Sequence, residues 1–272
     1  MHTDKDEAYL RLIVNAIRAS ANFKPAFGRG RKGGLTLADF QRLYQSDPFY
    51  RWFGLDNPKM YVAHRAAGAI TSIYRHIGEA CENLLKQIFC DYLNLSPDDL
   101  RWSYTVSRTA GRAQTVYVDA RVLVASIPEE PLRTRFREWM YTLGTSIGVD
   151  QKVLDAIAGV VFEIRQGYKS KDAKRQNADI TTAVTAYANG YLPCMLVLST
   201  QVDSDVLSRY RNAKWGVLMG YLGENNPCVS TYDFIGEVIG YDLAGFFERN
   251  SAYIREEFDK VLAELMEVEA DL

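Results

Sequence analysis

The residues with the clearest chemical potential lie in one stretch, VVFEIRQGYKSKDAKRQNADI, which covers residues 160–180. The stretch begins with an apolar run that predicts a buried strand, and Glu163 lies within that run. The cations that follow it are Arg165, Lys169, Lys171, Lys174 and Arg175. A metal ion held by a buried carboxylate, with cations facing a phosphate backbone, would explain this pattern.

A second carboxylate, Asp155, precedes Glu163 across the apolar segment AIAGVVF. A bend or a tight hairpin at Gly159 would bring the two carboxylates together at the edge of a sheet. Two carboxylates at one point repel each other unless a cation lies between them, and Mg²⁺ commonly takes one or two carboxylates together with phosphate oxygens. The sequence thus predicts a Mg²⁺ site at Asp155 and Glu163. Asp119, in VYVDARV, is the alternative ligand, although its pattern fits an outward-facing strand residue equally well.

This arrangement resembles the core motif of the PD-(D/E)XK nucleases: an Asp, a short apolar segment and then Glu-x-Lys on a strand. The continuation QGYKSKDAKRQNADI resembles the loop and helix start that follow the motif in type II restriction endonucleases. The segment YRHIGEACENLLKQIF is similar to the family's first core helix, which often supplies another acidic residue. Glu82 is the matching position, with Glu79 as the second choice. The resemblance covers roughly residues 73–200 and is weak outside them.

The resemblance implies a fold and an activity. The expected fold class is α/β, with a restriction-endonuclease-like core whose central mixed sheet is flanked by helices. One domain would span residues 1–272, with the core at roughly 73–200 and helical additions over 1–72 and 201–272. The implied activity is Mg²⁺-dependent, sequence-specific hydrolysis of phosphodiesters in double-stranded DNA. The implied assembly is a homodimer, for which the final amphipathic helix is a candidate contact.

One departure from the family motif concerns the catalytic lysine, which is replaced by Arg165. Lysine there is thought to orient or deprotonate the attacking water, whereas an arginine does not lose its proton in proteins. Arginine still offers a fixed fork of donors to a phosphate. Lys169 and Lys171 are close enough in the chain to fill the vacant position. The predicted catalytic residues are therefore Asp155, Glu163 and Lys169, with Arg165 as the alternative cation.

Two segments are expected to contact DNA. The residues that would position the phosphate backbone are Lys171, Lys174, Arg175, Gln176 and Asn177. Arg108 and Arg112 lie at the tip of a predicted hairpin, where a β-ribbon can enter the major groove and read guanine edges; a solvated turn is the alternative. The loop GRGRKGG carries further cations but lacks the spacing of a P-loop, so nucleotide binding is not predicted.

Other interpretations of the same residues stay open. A Glu followed two residues later by an Arg is often a solvated cross-strand ion pair that contributes little to stability. A DNA-binding protein that keeps the nuclease fold without cleaving is the second functional hypothesis, and Arg165 is its main support. An enzyme acting on a small molecule would need a glycine-rich phosphate loop after a strand, and the sequence has none.

Composition limits the class of protein. The chain has 272 residues, a formal net charge of −2 and 47% hydrophobic residues. This charge argues against a general DNA-coating protein, so any DNA-binding charge must be focused in a cleft. The sequence has no apolar run that predicts a membrane span and no signal-like N-terminus, and its four cysteines form no CxxC pair. A cytoplasmic protein with reduced thiols and without a membrane partner is expected.

The elements that must position these residues follow from the apolar periodicity. Helices are predicted over 5–20, after an N-cap at Thr36, over 61–94, over 129–146, over 177–189 with a C-terminal cap at Gly190, and near the C-terminus. RWSYTVSRT and TVYVDARVLVAS predict a half-buried hairpin. KVLDAIAGVVFEIRQG predicts a central strand pair or a bent hairpin, and LPCMLVLST predicts a further buried strand. Residues 46–60 are predicted to be irregular.

Overall fold

The structure, a computed structural model, describes residues 4–23, 36–107, 113–167 and 173–266. Its elements in chain order are α1 (Asp4–Ala19), α2 (Leu37–Gln45), α3 (Pro48–Trp52), α4 (Pro58–Leu93), β1 (Ser103–Ser107), β2 (Ala113–Tyr117), β3 (Ala120–Leu123), α5 (Glu130–Ser146), α6 (Gln151–Ala156), β4 (Gly159–Arg165), α7 (Ala173–Ala188), β5 (Tyr191–Val197), α8 (Ser204–Asn212), β6 (Gly216–Leu218), α9 (Thr231–Asp233) and α10 (Leu243–Met266). Single 3₁₀ turns follow α1 and β3, and a π-helical turn, Phe234–Ile239, continues α9.

The chain divides into two compact units. Unit 1 comprises Met1–Ala80 and Arg249–Leu272, and unit 2 comprises Cys81–Glu248. The N-terminal helical addition predicted from the sequence falls in unit 1. Of the predicted C-terminal addition, residues 201–248 belong to unit 2 with the sheet.

Unit 2 is built on a mixed four-stranded sheet in the order β3-β4-β5-β6. β3 pairs antiparallel with β4, whereas β4 with β5 and β5 with β6 are parallel. The carboxyl ends of the three parallel strands therefore meet at one edge of the sheet, the edge where ligands bind in open α/β sheets. β1 and β2 form a separate two-stranded antiparallel hairpin.

Helices cover both faces of this sheet. On one face Phe162 of β4 contacts the rings of Phe89 from α4, Trp139 from α5 and Phe234 from the π-helical turn. Successive strand residues point to opposite faces, so Val161, Glu163 and Arg165 point to the other face. That face packs against α7 and α8, and its buried side chains include Ala183, Ala186, Met195, Val197, Val206 and Tyr210. The α/β class with a mixed sheet flanked by helices is confirmed.

Unit 1 is helical. In its described part, α1 is tied to α10 by two ion pairs that join the first and last helices of the chain. Arg18 Nε lies 2.6 Å from Glu257 Oε2, and Arg249 Nη2 lies 3.3 Å from Asp6 Oδ2. Both carboxylates are buried. α2 packs its Phe40 side chain against the first turns of α4.

Several predicted elements are confirmed. α1, α4, α5 and α7 correspond to predicted helices, and β1–β2 and β5 correspond to the predicted hairpin and buried strand. The side chain of Thr36 accepts a hydrogen bond from the Asp39 amide at 3.2 Å, as an N-cap residue should. Gly190 ends α7 with φ of 74°, a conformation that glycine adopts without steric cost.

Three predictions are wrong. Residues 46–60 contain α3 and the start of α4 because Pro48 and Pro58 occupy first helical positions, where proline is tolerated. The run TVYVDARVLVAS breaks at Val118–Asp119, so its second half, β3, joins the main sheet instead of the hairpin. The segment before Gly159 forms α6, capped by Asp150, and not a strand.

Within the described ranges, none of the helices combines the length and the hydropathy that a membrane-spanning segment needs.

Candidate functional site

Glu163 lies near the carboxyl end of β4, the only described strand with a sheet neighbour of each orientation. Six of the seven residues of β4 are buried, and Glu163 is one of them. Its side chain is 9% exposed and points to the face covered by α7 and α8. A carboxylate is rarely buried to this extent unless it is paired. The partners of Glu163 therefore decide what this site can do.

Asp119 lies beside Glu163 because of the β3–β4 register. Ala120 pairs with Phe162, so the residue before β3 reaches the level of Glu163. Asp119 Oδ2 accepts a hydrogen bond from the Ile164 backbone N–H at 2.7 Å. This side-chain hydrogen bond lies just beyond the last backbone pair of β3 and β4 and extends their pairing by one residue. The carboxylate of Asp119 is thereby fixed at the strand end.

Arg165 joins the two carboxylates. Its Nη1 lies 3.1 Å from Asp119 Oδ2, and its Nη2 lies 2.5 Å from Glu163 Oε2. Nη1 also donates to its own strand, at the Ile164 carbonyl, 3.0 Å away. The side chain is only 14% exposed. The predicted alternative, a solvated surface ion pair, is therefore wrong, since this pair is buried.

A third carboxylate, Asp179 of α7, completes the group, which we call the carboxylate cluster: Asp119, Glu163 and Asp179 around Arg165. Asp179 Oδ1 lies 3.7 Å from Arg165 Nη2, and its Oδ2 accepts a hydrogen bond from the Tyr210 hydroxyl at 2.5 Å. Tyr210 itself is fully buried on α8. Helices α7 and α8 thus hold the cluster from the side opposite the sheet.

The cluster perturbs the protonation of its members. Burial, the largest cause, raises the pKa of Glu163 to about 8; the Arg165 guanidinium opposes this rise, and the neighbouring Asp119 and Asp179 carboxylates add to it. Burial alone would lower the pKa of Arg165, but attraction by Glu163, Asp119 and Asp179 outweighs it, so the pKa is raised and the guanidinium stays charged. Strong perturbation of a carboxyl group is common at functional sites.

The N-terminal end of α7 carries polar and basic residues in the sequence. Asn177, in the second turn of α7, accepts a hydrogen bond from Arg209 Nη2 of α8 at 3.2 Å. The backbone of Lys174, Arg175 and Gln176 forms the first turn of the same helix, although their side chains are not described. The first turn of a helix attracts anions through its free N–H groups and dipole. This end of α7 is therefore suited to a phosphate group.

The β1–β2 hairpin is attached to α7. The Tyr104 hydroxyl of β1 lies 2.7 Å from Thr182 Oγ1, one helical turn beyond Asp179. Trp102 and Tyr191 pack around the base of the hairpin with Tyr104. The base of the hairpin is thus attached to α7 one helical turn from Asp179 of the carboxylate cluster.

The structure does not bring Asp155 to Glu163. β4 runs without a bend from Gly159 to Arg165, so the predicted hairpin at Gly159 is wrong. Asp155 lies in α6, before the strand begins, and Glu163 is about 13 Å along the strand from Gly159 at the usual rise per residue. Asp155 is exposed and accepts hydrogen bonds from Tyr141 at 3.1 Å and Gln151 at 2.8 Å. Asp119, the alternative ligand, takes the place beside Glu163.

Glu82 is also placed away from the cluster. It forms an ion pair with Lys86 on α4, and α4 packs through Phe89 against the face of the sheet opposite to the Glu163 side chain. Glu79, the second choice, pairs with Arg75 at 2.9 Å within unit 1. Neither glutamate contacts the cluster in the described structure.

Four other predicted residues lie outside the described residues: Lys169, Lys171, Arg108 and Arg112. In the sequence, Lys169 and Lys171 fall between β4 and α7, and Arg108 and Arg112 fall between β1 and β2. Arg165 is the one cation that the described residues place against both Asp119 and Glu163.

The position of Asp179 in the helical repeat of α7 marks it as a site residue that the sequence-based prediction missed. On α7 the buried positions 179, 182, 183 and 186 follow helical spacing. An Asp in register with the apolar face of a helix must find a polar partner, because an unpaired buried charge is costly. Asp179 is therefore recognisable as a site residue once α7 is placed against a strand that carries its own carboxylate.

A divalent metal ion, implied by the family resemblance, fits the donor chemistry of this cluster. Asp119 and Glu163 offer carboxylate oxygens, and one or two carboxylates are usual for Mg²⁺. Among the described residues no group of three or more His, Cys, Asp or Glu side chains is arranged to hold a metal ion. The fit is therefore to an ion held by two carboxylates and completed by other oxygens.

Comparisons with models of protein families, with curated proteins and with solved structures find no match for this chain.

Proposed function

We propose that the protein is a Mg²⁺-dependent endonuclease of the type II restriction class, which hydrolyses phosphodiesters at a specific sequence in double-stranded DNA. The proposal includes a restriction-endonuclease-like core formed by unit 2. One observation carries it: Asp119 and Glu163 meet at the carboxyl end of β4 and share a single guanidinium among the described residues. When Asp119 and Glu163 are both ionised, their two negative charges exceed the single positive charge of Arg165, and a bound cation would neutralise the excess.

The metal would be held by Asp119 and Glu163. When bound, such an ion lowers the pKa of a coordinated water and stabilises the charge that develops on a phosphoryl group. Asp119 is preset for this role because the Ile164 amide fixes one of its oxygens. Glu163 is preset by burial in β4, which leaves its side chain few alternative positions.

Arg165 and the basic segment after it would bind the DNA backbone. A guanidinium presents two parallel N–H donors to a phosphate and keeps its charge at any pH of interest. Asp179, held by Tyr210, would orient Arg165 towards the strand end. The predicted lysines Lys169 and Lys171 would supply the remaining cations of the site.

Sequence recognition would fall to other elements. Phosphate contacts fix the register of a protein on DNA, whereas contacts with base edges read the sequence. The first turn of α7, with Lys174, Arg175 and Gln176, and the neighbouring Asn177 would make the phosphate contacts. The β1–β2 hairpin, with Arg108 and Arg112, would enter the major groove. A homodimer would match a two-fold symmetric site, and the proposed setting is the cytoplasm.

Plasmid cleavage with Mg²⁺ or with a chelator tests this function. The wild-type protein should yield discrete fragments only with Mg²⁺. Glu163→Gln and Asp119→Asn should each reduce the rate by at least about 100-fold, because even outer contacts of a metal site change activity by 10–100-fold. Asp98→Asn is the matched control, since the Asp98 side chain is 81% exposed and its ion pair among the described residues is with the equally exposed Arg101.

Asp155→Asn separates the two ligand assignments. We expect full activity for this variant, because in the described part of the chain the Asp155 carboxylate bonds with Tyr141 of α5 and Gln151 of α6 and not with the cluster. Loss of cleavage in Asp155→Asn with full activity in Asp119→Asn would overturn the assignment made here. Equal cleavage by wild type and Glu163→Gln would exclude the whole site.

The second candidate function is binding of DNA without cleavage. The position of Arg165 favours it, since a guanidinium lies where the nuclease motif has a lysine and touches both carboxylates. In that case the plasmid stays uncut across a range of metals while the same protein still retards DNA on a gel. Retardation that weakens with salt, without cleavage, would select this function.

A further inference from the structure

Arg165 occupies the part of the carboxylate cluster where a bound cation would lie. One of its terminal nitrogens contacts Asp119 Oδ2 at 3.1 Å, and the other contacts Glu163 Oε2 at 2.5 Å. These are oxygens of the same two carboxylates that suit a divalent ion. A metal and the guanidinium therefore compete for one set of ligands.

The hydrogen bonding of Arg165 in this position is incomplete. Its Nε is buried and has no hydrogen-bond partner in the described structure. A buried donor without a partner has lost its bond to water and gained nothing in return. The guanidinium is thus held mainly by charge attraction, and it has an unmet donor that a different arrangement would satisfy.

Arg165 cannot leave the carboxylates by losing its own charge. Arginine keeps its proton in proteins, so the charge stays when the surroundings change. If a divalent ion takes the carboxylates, the guanidinium has to move away from them. The end of β4 continues into the carboxyl edge of the sheet, so a displaced Arg165 stays near any group bound there.

We infer that Arg165 is a built-in counter-ion of the metal site: it holds Asp119 and Glu163 together in the metal-free protein and leaves them when a divalent cation binds. The identity of that cation rests on the function proposed above. Displacement couples metal binding to the release of a phosphate-binding fork. Metal loading would therefore prepare the protein for DNA, and the metal-free protein would hold its arginine inward.

Calorimetric titration with Mn²⁺ in the absence of DNA tests this inference. Arg165→Gln should bind Mn²⁺ at least about tenfold more tightly than wild type. A positive charge within 4–6 Å of a carboxylate lowers its affinity for a proton by about one to three logarithmic units, and the same repulsion acts on a metal ion. Glu163→Gln in the same background should abolish the gain. Arg101→Gln is the matched control: Arg101 is 79% exposed, and its loss should change the affinity by less than about twofold.

The outcomes separate this inference from the proposed function. Tighter Mn²⁺ binding by Arg165→Gln supports the counter-ion role even if no plasmid is cut. Equal or weaker binding than wild type overturns it even if the wild type proves to be a nuclease, and so does an equal gain in Arg101→Gln. If Arg165→Gln fails to fold, Arg165→Lys decides: a single ammonium reaches fewer oxygens than the fork, so affinity should still rise, and unchanged affinity overturns the inference.

Discussion

Replacing Glu163 by glutamine should change how the stability of unit 2 depends on pH. Burial raises the pKa of Glu163 from 4.5 to about 8. Between these values the folded state keeps a proton that the unfolded state releases, so the free energy of unfolding falls as the pH rises. Below about 4.5 both states are protonated and the penalty is absent. Above about 8 it is complete.

The size of the effect follows from the width of this window. One pKa unit corresponds to about 1.4 kcal/mol, so the interval between 4.5 and about 8 limits the loss to roughly 5 kcal/mol. Between pH 5 and pH 8 we expect the metal-free wild type to lose about 2–4 kcal/mol. Glu163→Gln keeps the shape of the side chain without the titrating group, so it should lose less than about 1 kcal/mol.

Urea unfolding followed by tryptophan fluorescence measures this difference. Unit 2 contains Trp102, Trp139 and Trp215, and the last two are buried. Unit 1 contains Trp52, which is largely exposed and changes its emission little on unfolding. Measurements at pH 5, 6.5 and 8 in the presence of a chelator would give the slope for each variant, with Asp98→Asn as the control.

Two results would refute the reasoning. A wild-type free energy of unfolding that rises between pH 5 and pH 8 would mean that the pKa of Glu163 is lowered and that its attraction to Arg165 outweighs burial. The same downward slope in Glu163→Gln would assign the pH dependence to another group. Either result would remove the electrostatic argument for an unsatisfied negative charge at the end of β4.

Further predictions concern packing, a buried hydrogen bond and an ion pair. Gly159→Ala should destabilise unit 2 by about 3 kcal/mol or more, because the added Cβ would lie 2.2 Å from a backbone oxygen of β3. Gly78→Ala is the control in the same urea assay: a Cβ added there in α4 meets no atom within 4 Å, so this variant should be more stable by up to about 1 kcal/mol. Tyr210→Phe should cost about 2 kcal/mol, because the Asp179 side chain loses a buried hydrogen-bond donor; a cost near zero would mean that another donor replaces it. Hydrogen bonds from Arg18 and Lys260 lower the pKa of Glu257 to about 2, so their contribution to stability is present above about pH 4.5 and lost as the pH falls towards 2. Melting temperatures measured by circular dichroism should therefore fall less steeply with acid in Glu257→Gln than in the wild type, and an equal fall would contradict the assignment.

The fold class and most helices are predictable from the sequence because they depend on local signals. Each of these signals depends only on residues a few positions away: examples are the apolar spacing in α4, the Thr36 cap and the glycine after α7. Sheet membership does not depend on local signals in this way. The run TVYVDARVLVAS reads as one strand, and only the tertiary structure shows that Asp119 divides it between two sheets.

The candidate site is predictable in its centre and wrong at its margins. Glu163 and Arg165 stand out because charges inside a buried strand need partners. The second carboxylate cannot be chosen from spacing, since Asp119 and Asp155 both precede Glu163 in the sequence but approach β4 from different ends. The register of β3 decides between them, and a register is set by pairing over long sequence separations. Asp179 required the position of α7 against the sheet.

Because of the contact between Tyr104 and Thr182, helix α7 positions both the β1–β2 hairpin and one side of the carboxylate cluster. Thr182 carries the base of the β1–β2 hairpin, and Asp179, one turn away, carries a side of the carboxylate cluster. Their separation is set by the rise of an α-helix, 1.5 Å per residue, and not by a flexible linker. A hairpin of another sequence would therefore need its own contact with Thr182 to keep this position on α7. The hairpin is part of the scaffold, and this limits how freely evolution or design can replace it.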